Sequence, residues 1–224
     1  MSKIVILTGL QQEADTIPAG FATIFCGVTA RDNLDSIVPL DTDGILCWEI
    51  WGGLSPTLSL GAVCVANSLV LKDNSIEQAP ATWVVKLEEL LGQANLFQLC
   101  ETKTYSSDQE IAYNAKTRAQ LALTTKAQAV EEGAYAVAAW ATKNNKPWAA
   151  VGSISDTWDQ TVSTWTNVVD NNGNVQVEQA LQDILANPGQ IPDVLKEAAS
   201  EQVALTNLKK AAQLLAPLNW GFPQ

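Results

Sequence analysis

The sequence contains no histidine, one methionine and only two arginines, Arg31 and Arg118, among its 224 residues. Without histidine, Ser-His-Asp and Cys-His nucleophilic machinery is excluded together with the commonest zinc ligand, so acid–base chemistry falls to carboxylates, lysine or tyrosine. Basic residues are scarce as well. Thirteen Lys+Arg stand against 24 Asp+Glu, a formal charge of −11, which removes the cationic surface that holds a phosphate backbone, and nucleic acid is not an expected partner. Long apolar runs are missing: the longest, 63–71, is interrupted by Asn67 and Ser68, far short of the roughly 20 residues of a membrane helix, so no integral membrane segment is expected. There is no C-x-x-C pair and no signal-peptide pattern. Cys26, Cys47, Cys64 and Cys100 lie far apart, and Met1-Ser2-Lys3 runs straight into a short apolar stretch and Gln11-Gln12-Glu13. Buried free thiols, no metal or other cofactor, and a cytoplasmic location are the expectations.

What is present is an ordinary globular composition, 47% hydrophobic, enough for one large core, and a single domain over 1–224 is expected. Short β-branched runs alternate with amphipathic stretches, the pattern of an α/β fold. Strands are predicted over 3–7, 22–26, 44–51, 62–71, 95–100 and 147–153. Helices are predicted from residue 11, over 29–40 with Thr29 as cap, and over 81–92, 113–123, 133–144, 177–186 and 192–216. Asn171-Asn172-Gly173 reads as a tight turn.

Three candidate sites fall at carboxyl ends of predicted strands, where open α/β sheets place ligands. The first is Thr8-Gly9-Leu10-Gln11-Gln12-Glu13, with an acid just past a strand. Next comes Trp51-Gly52-Gly53, where two glycines permit a sharp turn or a close backbone approach. The third is Ile154-Ser155-Asp156. Two carboxylates converging on one crevice serve as general base and general acid.

In order and spacing, Gly-Leu-x-x-Glu-Ala near residue 10, Gly-Gly-Leu-x-Pro-x-Leu-x-x-Gly at 52–61, Ala-Val-Glu at 129–131 and Ile-Ser-Asp at 154–156 resemble the nucleoside phosphorylase and nucleosidase family. The C-terminal part, Asn172-Gly173-Asn174-Val175 and then Ala186-Asn187-Pro188-Gly189-Gln190-Ile191-Pro192, looks most like its hopanoid-associated branch, the adenosylhopane nucleosidases. The resemblance implies a three-layer αβα fold around a central mixed twisted sheet, cleavage of a purine nucleoside N-glycosidic bond, and self-association into a homo-oligomer. It implies Asp156, supported by Ser155, as the acid toward the departing base, and Glu13 as the activator of water. The base would lie along 106–111, near Ile111, with Trp51, Gly52 and Gly53 lining the pocket floor. Water is preferred to phosphate as nucleophile because a phosphate site wants arginine; Arg31, on the helix after Gly27, leaves the phosphorylase alternative open.

The chain departs from the family pattern where Glu49 and Trp51 stand in place of small residues. At the ribose-binding acid it has Gly133, with Glu132 one position earlier, and Gly152 replaces an arginine. Either Glu132 takes over the sugar contact or ribose recognition is lost. The second case makes the chain a catalytically impaired purine- or nucleoside-binding protein on the same fold. Eight tryptophans, with Trp51 and Trp158 beside the candidate motifs, suit an aromatic pocket for an apolar 5′ substituent or, alternatively, core filling.

Overall fold

The computed structural model describes residues 3–107, 114–162 and 168–223. Strand β1 (Ile4–Thr8) lies between β2 (Thr23–Cys26) and β3 (Gly44–Gly53), parallel to both. β3 continues the sheet through β8 (Trp148–Asp156), again parallel, and β8 pairs antiparallel with β4 (Val63–Val70). β4 carries the short antiparallel β5 (Ile76–Gln78) and the parallel β6 (Leu99–Ser106). β6 in turn holds β7 (Ala129–Glu131), which returns antiparallel to the end of β3 at Gly52 and Gly53. Strands β3, β8, β4, β6 and β7 therefore close on themselves. The mixed, twisted sheet expected from sequence is present, with a five-stranded barrel formed inside it.

Closure depends on the tip of β3. Register slips between Trp51 and Gly52, so that Trp51 faces Ile154 while Gly52 faces Asp156, and Ser155 is the extra residue of a β-bulge. A Cβ on Gly52 would lie 2.9 Å from Val130 Cγ1, and one on Gly53 would lie 3.1 Å from the Asp156 carbonyl oxygen. Both glycines are there because three strands meet at that corner.

Alternation along β3 assigns its two faces. Trp48 meets the ring of Trp220 edge-on at 5.5 Å and donates from Nε1 to Thr16 Oγ1 at 2.9 Å. On that side lie α4 (Ala81–Gly92), burying Trp83, Val84, Leu87 and Leu91, and α8 (Ile191–Leu215), burying a stripe from Ser200 to Leu215. Glu49 faces the other way, toward the start of α6 (Ala134–Lys143), beside which α3 (Leu34–Ile37) packs. Helices thus flank both faces of the sheet. Helix α7 (Val177–Ala186) buries none of its residues, and no helix among the described residues is long and apolar enough to cross a membrane.

Several boundaries differ from those read in the sequence. The helix expected over 29–40 is two short ones, α2 (Gly27–Arg31) and α3, broken at Asp32 and Asn33; Cys26, not Thr29, is the N-terminal flanking residue. β6 starts at Leu99 rather than residue 95, and β7 is a strand of three residues. β8 runs on through Asp156, which places Ser155 and Asp156 inside the strand end instead of after it. The turn at 171–173 is present: Gly173 has φ +83° and its N–H donates to the Asp170 carbonyl.

Candidate functional site

β1 pairs with β3 only as far as Cys47, so the next stretch of β3 has a free edge. Glu13, on the short helix α1 (Gln11–Ala14) that follows β1, fills it: its Oε1 accepts from the Ile50 N–H at 2.6 Å. Its Oε2 accepts from the N–H groups of Gly9 at 2.9 Å and Leu10 at 2.8 Å. The carboxyl is 2% exposed. Burial pushes its pKa up to about 8, against the pull of those three N–H groups, with the charge of Glu201 adding to the rise.

Asp156 stands across β3 from Glu13. Its Oδ1 lies 3.2 Å from where a Cβ on Gly52 would be, two residues along the strand from Ile50, a rise of about 7 Å. Its Oδ2 accepts from Ser155 Oγ at 2.6 Å, and its Oδ1 forms an ion pair with Arg118 Nη2. Arg118 comes from α5 (Ala115–Thr125), is buried, and also donates from Nη1 to the carbonyls of Thr157 at 2.9 Å and of Gly53 at 3.4 Å. Glu201 on α8 faces the charges of both acids: its own raises the pKa of Glu13, and that of Asp156 helps burial and Glu197 raise Glu201 to about 7. The two expected acids therefore flank the same end of β3, with Glu201 near both.

Two further carboxyls crowd the same strand ends. Glu49 is 6% exposed, and burial, then the charges of Glu13 and Glu131, push its pKa well up, with Arg31 pulling the other way. Glu131, at the end of β7, accepts through Oε2 from the N–H groups of Gly133 and Ala134, each at 2.7 Å, at the positive end of α6. Burial raises its pKa to about 7. Cys47, Glu49 and Glu131 bring one donor atom each within 4.8 Å of one another. Burial raises the pKa of both the thiol and the Glu49 carboxyl, which opposes a metal because its ligands must give up their protons. Arg31 and the amino end of α6 add positive charge, so the set suits a cation poorly.

The remaining expected residues fall into two groups. Ser155, Gly52 and Gly53 lie at the corner beside Asp156 as strand-closing elements. Trp51 is 1% exposed and belongs to the core: its ring occupies the space a Cβ on Gly152 would fill. Gly133 precedes α6, and Glu132 is exposed at its surface, its backbone oxygen accepting from Arg31 Nη1 at 3.2 Å. Ile111 and residues 108–110 lie outside the described residues. Ser106, at the start of that segment, accepts from the Tyr135 N–H at 2.7 Å beside Glu131. The loop at 171–173 closes the site on the β1 side, where the Gly173 carbonyl accepts from the Gln11 N–H at 2.8 Å.

Sequence reasoning gave no role to Arg118 or Glu201 and treated Glu49 only as a departure. For Glu49 a signal existed, an acid inside the apolar run 44–51. Arg118 and Glu201 sit in ordinary polar helices and carry none.

No protein-family model matches the chain, and no curated protein does. Solved structures do match. The chain is similar to the Campylobacter jejuni 5′-methylthioadenosine/S-adenosyl homocysteine nucleosidase, with a TM-score of 0.68 at 13% identity over 99% of this chain and 100% of that one. For native futalosine hydrolase of Helicobacter pylori the TM-score is 0.64 at 19% identity, covering 95% and 97%. A Streptococcus pyogenes S-adenosylhomocysteine nucleosidase in complex with 5-methylthiotubericidin gives 0.59 at 16%, covering 93% and 97%. At these identities the likeness shows the fold, a mixed sheet flanked by helices as in those nucleosidases.

Proposed function

We propose that the chain hydrolyses the N-glycosidic bond of a purine nucleoside. The observation that carries this reading is the placement of Glu13 and Asp156 on either edge of β3, two residues apart, at the carboxyl ends of parallel strands. The bond between the sugar's anomeric carbon and N9 of the base breaks, and water attacks that carbon from the opposite face. Glu13 takes the proton from the water. Asp156, fixed by Ser155 and Arg118, enters the step protonated and passes that proton to N7 of the departing base as the bond breaks. It is left as the carboxylate that Arg118 balances, and is reprotonated from solvent after release. Water is favoured over phosphate because Arg118 is already engaged with Asp156 and three carbonyls, and the groups crowding the site are the carboxyls of Glu13, Glu49, Glu131 and Glu201 rather than the cations a dianion needs.

Release of adenine from adenosine and from 5′-methylthioadenosine, with and without phosphate, tests this. Equal rates with and without phosphate are expected, and Asp156→Asn is expected to slow turnover by about 10²–10⁴. No release by the wild type, or an unimpaired Asp156→Asn variant, overturns it.

A second reading, retention of the nucleoside without turnover, draws on the raised pKa of Glu13, since a protonated carboxyl takes no proton from water. A rate that climbs as pH rises through about 8 supports the enzyme. Tight adenosine binding with no turnover even at pH 9 supports the binder. An apolar 5′ substituent of the adenosylhopane kind rests on the C-terminal motifs and on Trp158, 42% exposed two residues past Asp156. A KM that falls as the 5′-alkylthio chain is lengthened is the expected sign.

A further inference from the structure

Glu49 is a costly residue to keep. It is an acid buried in an otherwise apolar stretch of strand, and the absence of a side chain at Gly133 gives it room. A Cβ on Gly133 would overlap its Oε1 and lie 2.9 Å from its Cδ, while the Cβ of a residue at 9 would lie 3.4 Å from that same oxygen. Its carboxyl therefore sits between the exit of β1 and the entry of α6, with the carboxylate of Glu13 on the other side of Gly9, 3.6 Å from that Cβ position.

The hydrogen bonds around this point are incomplete. All of Glu13's bonds are made, to three backbone N–H groups. Glu49, by contrast, receives nothing from an N–H or hydroxyl among the described residues; the Cys47 thiol is its side-chain partner. Beside it, Glu131 Oε1 is buried and has no hydrogen-bond partner of sound geometry among the described residues, the Ser106 hydroxyl being the side-chain group that lowers the pKa of that carboxyl. Buried acceptors are almost always matched with donors, so the unpartnered Oε1 of Glu131, beside Glu49 and next to Glu13, calls for a ligand that brings O–H groups. A cation is the poorer guest, because Arg31 and the amino end of α6 are already there.

We infer that Glu49 binds the hydroxyl groups of the substrate's sugar, which makes it the residue that distinguishes a riboside from a 2′-deoxyriboside. The inference rests on the nucleosidase reading and deepens it. Glu132, the alternative seen in the sequence, is the more exposed of the two acids, and its backbone oxygen accepts from Arg31.

The test compares adenosine with 2′-deoxyadenosine for wild type, Glu49→Gln and Glu49→Ala. Loss of kcat/KM by about 10- to 100-fold on adenosine, carried mainly by KM, with less than about threefold change on 2′-deoxyadenosine, is expected. Equal losses on both sugars mean that Glu49 only holds the site's shape, and no loss on either means that it touches no substrate; each overturns the inference. Should the wild type cleave neither nucleoside, thermal shift with uridine and 2′-deoxyuridine separates the two readings. A shift by uridine alone, abolished in Glu49→Gln, keeps the inference while the purine reading falls; no shift by any riboside overturns both. A stabilisation by Zn²⁺ that disappears in Glu49→Ala, without a riboside effect, overturns it in favour of a metal.

Discussion

Gly152 has the ring of Trp51 where its own side chain would be. The indole is rigid and walled in by core residues, so it has nowhere to retreat, and Gly152→Ala is expected to destabilise the fold by about 1–3 kcal/mol through overpacking. Urea unfolding checks this. The double variant Gly152→Ala with Trp51→Ala should lose less than the sum of the two single losses, because the residues share one volume. Arg118 is the opposite kind of residue, a buried charge whose partner cannot leave. Arg118→Met should cost about 3 kcal/mol, since it strands the carboxylate of Asp156 beside the Gly52 corner. The same variant should reduce turnover, measured as adenine release, by loosening the acid it holds.

Among the elements, those with strong periodicity were legible in the sequence. α4 begins and ends where Trp83, Val84, Leu87 and Leu91 predict, and α7 and α8 agree to within a residue. Elements defined by their neighbours were not legible. β7 is only three residues long and is a strand because β6 and the bent tip of β3 flank it. The reach of β8 through Asp156 is set by the bulge at Ser155, which no local preference announces. For the candidate site, strand-end logic pointed to Glu13 and Asp156, which the fold places on either edge of β3. It could not find Arg118 or Glu201, which arrive from helices remote in the chain. The loop between β8 and α7 makes an element-scale prediction of its own. Gly173 has φ +83°, and a Cβ there would lie 2.6 Å from the Gly9 carbonyl oxygen and 2.7 Å from Cys26 Sγ. Gly173→Ala should therefore cost about 1–3 kcal/mol and lower the thermal midpoint, with the helix content by circular dichroism unchanged below the transition.

At the scale of the whole molecule, the acids of the site link stability to pH. Glu13, Glu49, Glu131 and Glu201 all bind protons more tightly folded than unfolded, with Glu13 raised to about 8 and Glu131 and Glu201 to about 7 from an ordinary 4.5. Their contribution is complete below about pH 4.5 and is lost as pH climbs through about 7 and 8, because deprotonation then leaves charge in a buried site. Thermal midpoints measured from pH 5 to pH 9 should fall. Glu49→Gln should flatten that slope, and a midpoint that rises with pH contradicts the assignment.

The barrel also constrains how the chain is made. β3 receives β7 and β8 only from residues 129–156, more than seventy positions downstream of Gly53. A growing polypeptide that has just emerged past β4 therefore presents strand edges whose partners are still to be synthesised. Folding must wait for late translation, and nascent chains stalled before residue 156 are the species that chaperones should hold and proteases should clear.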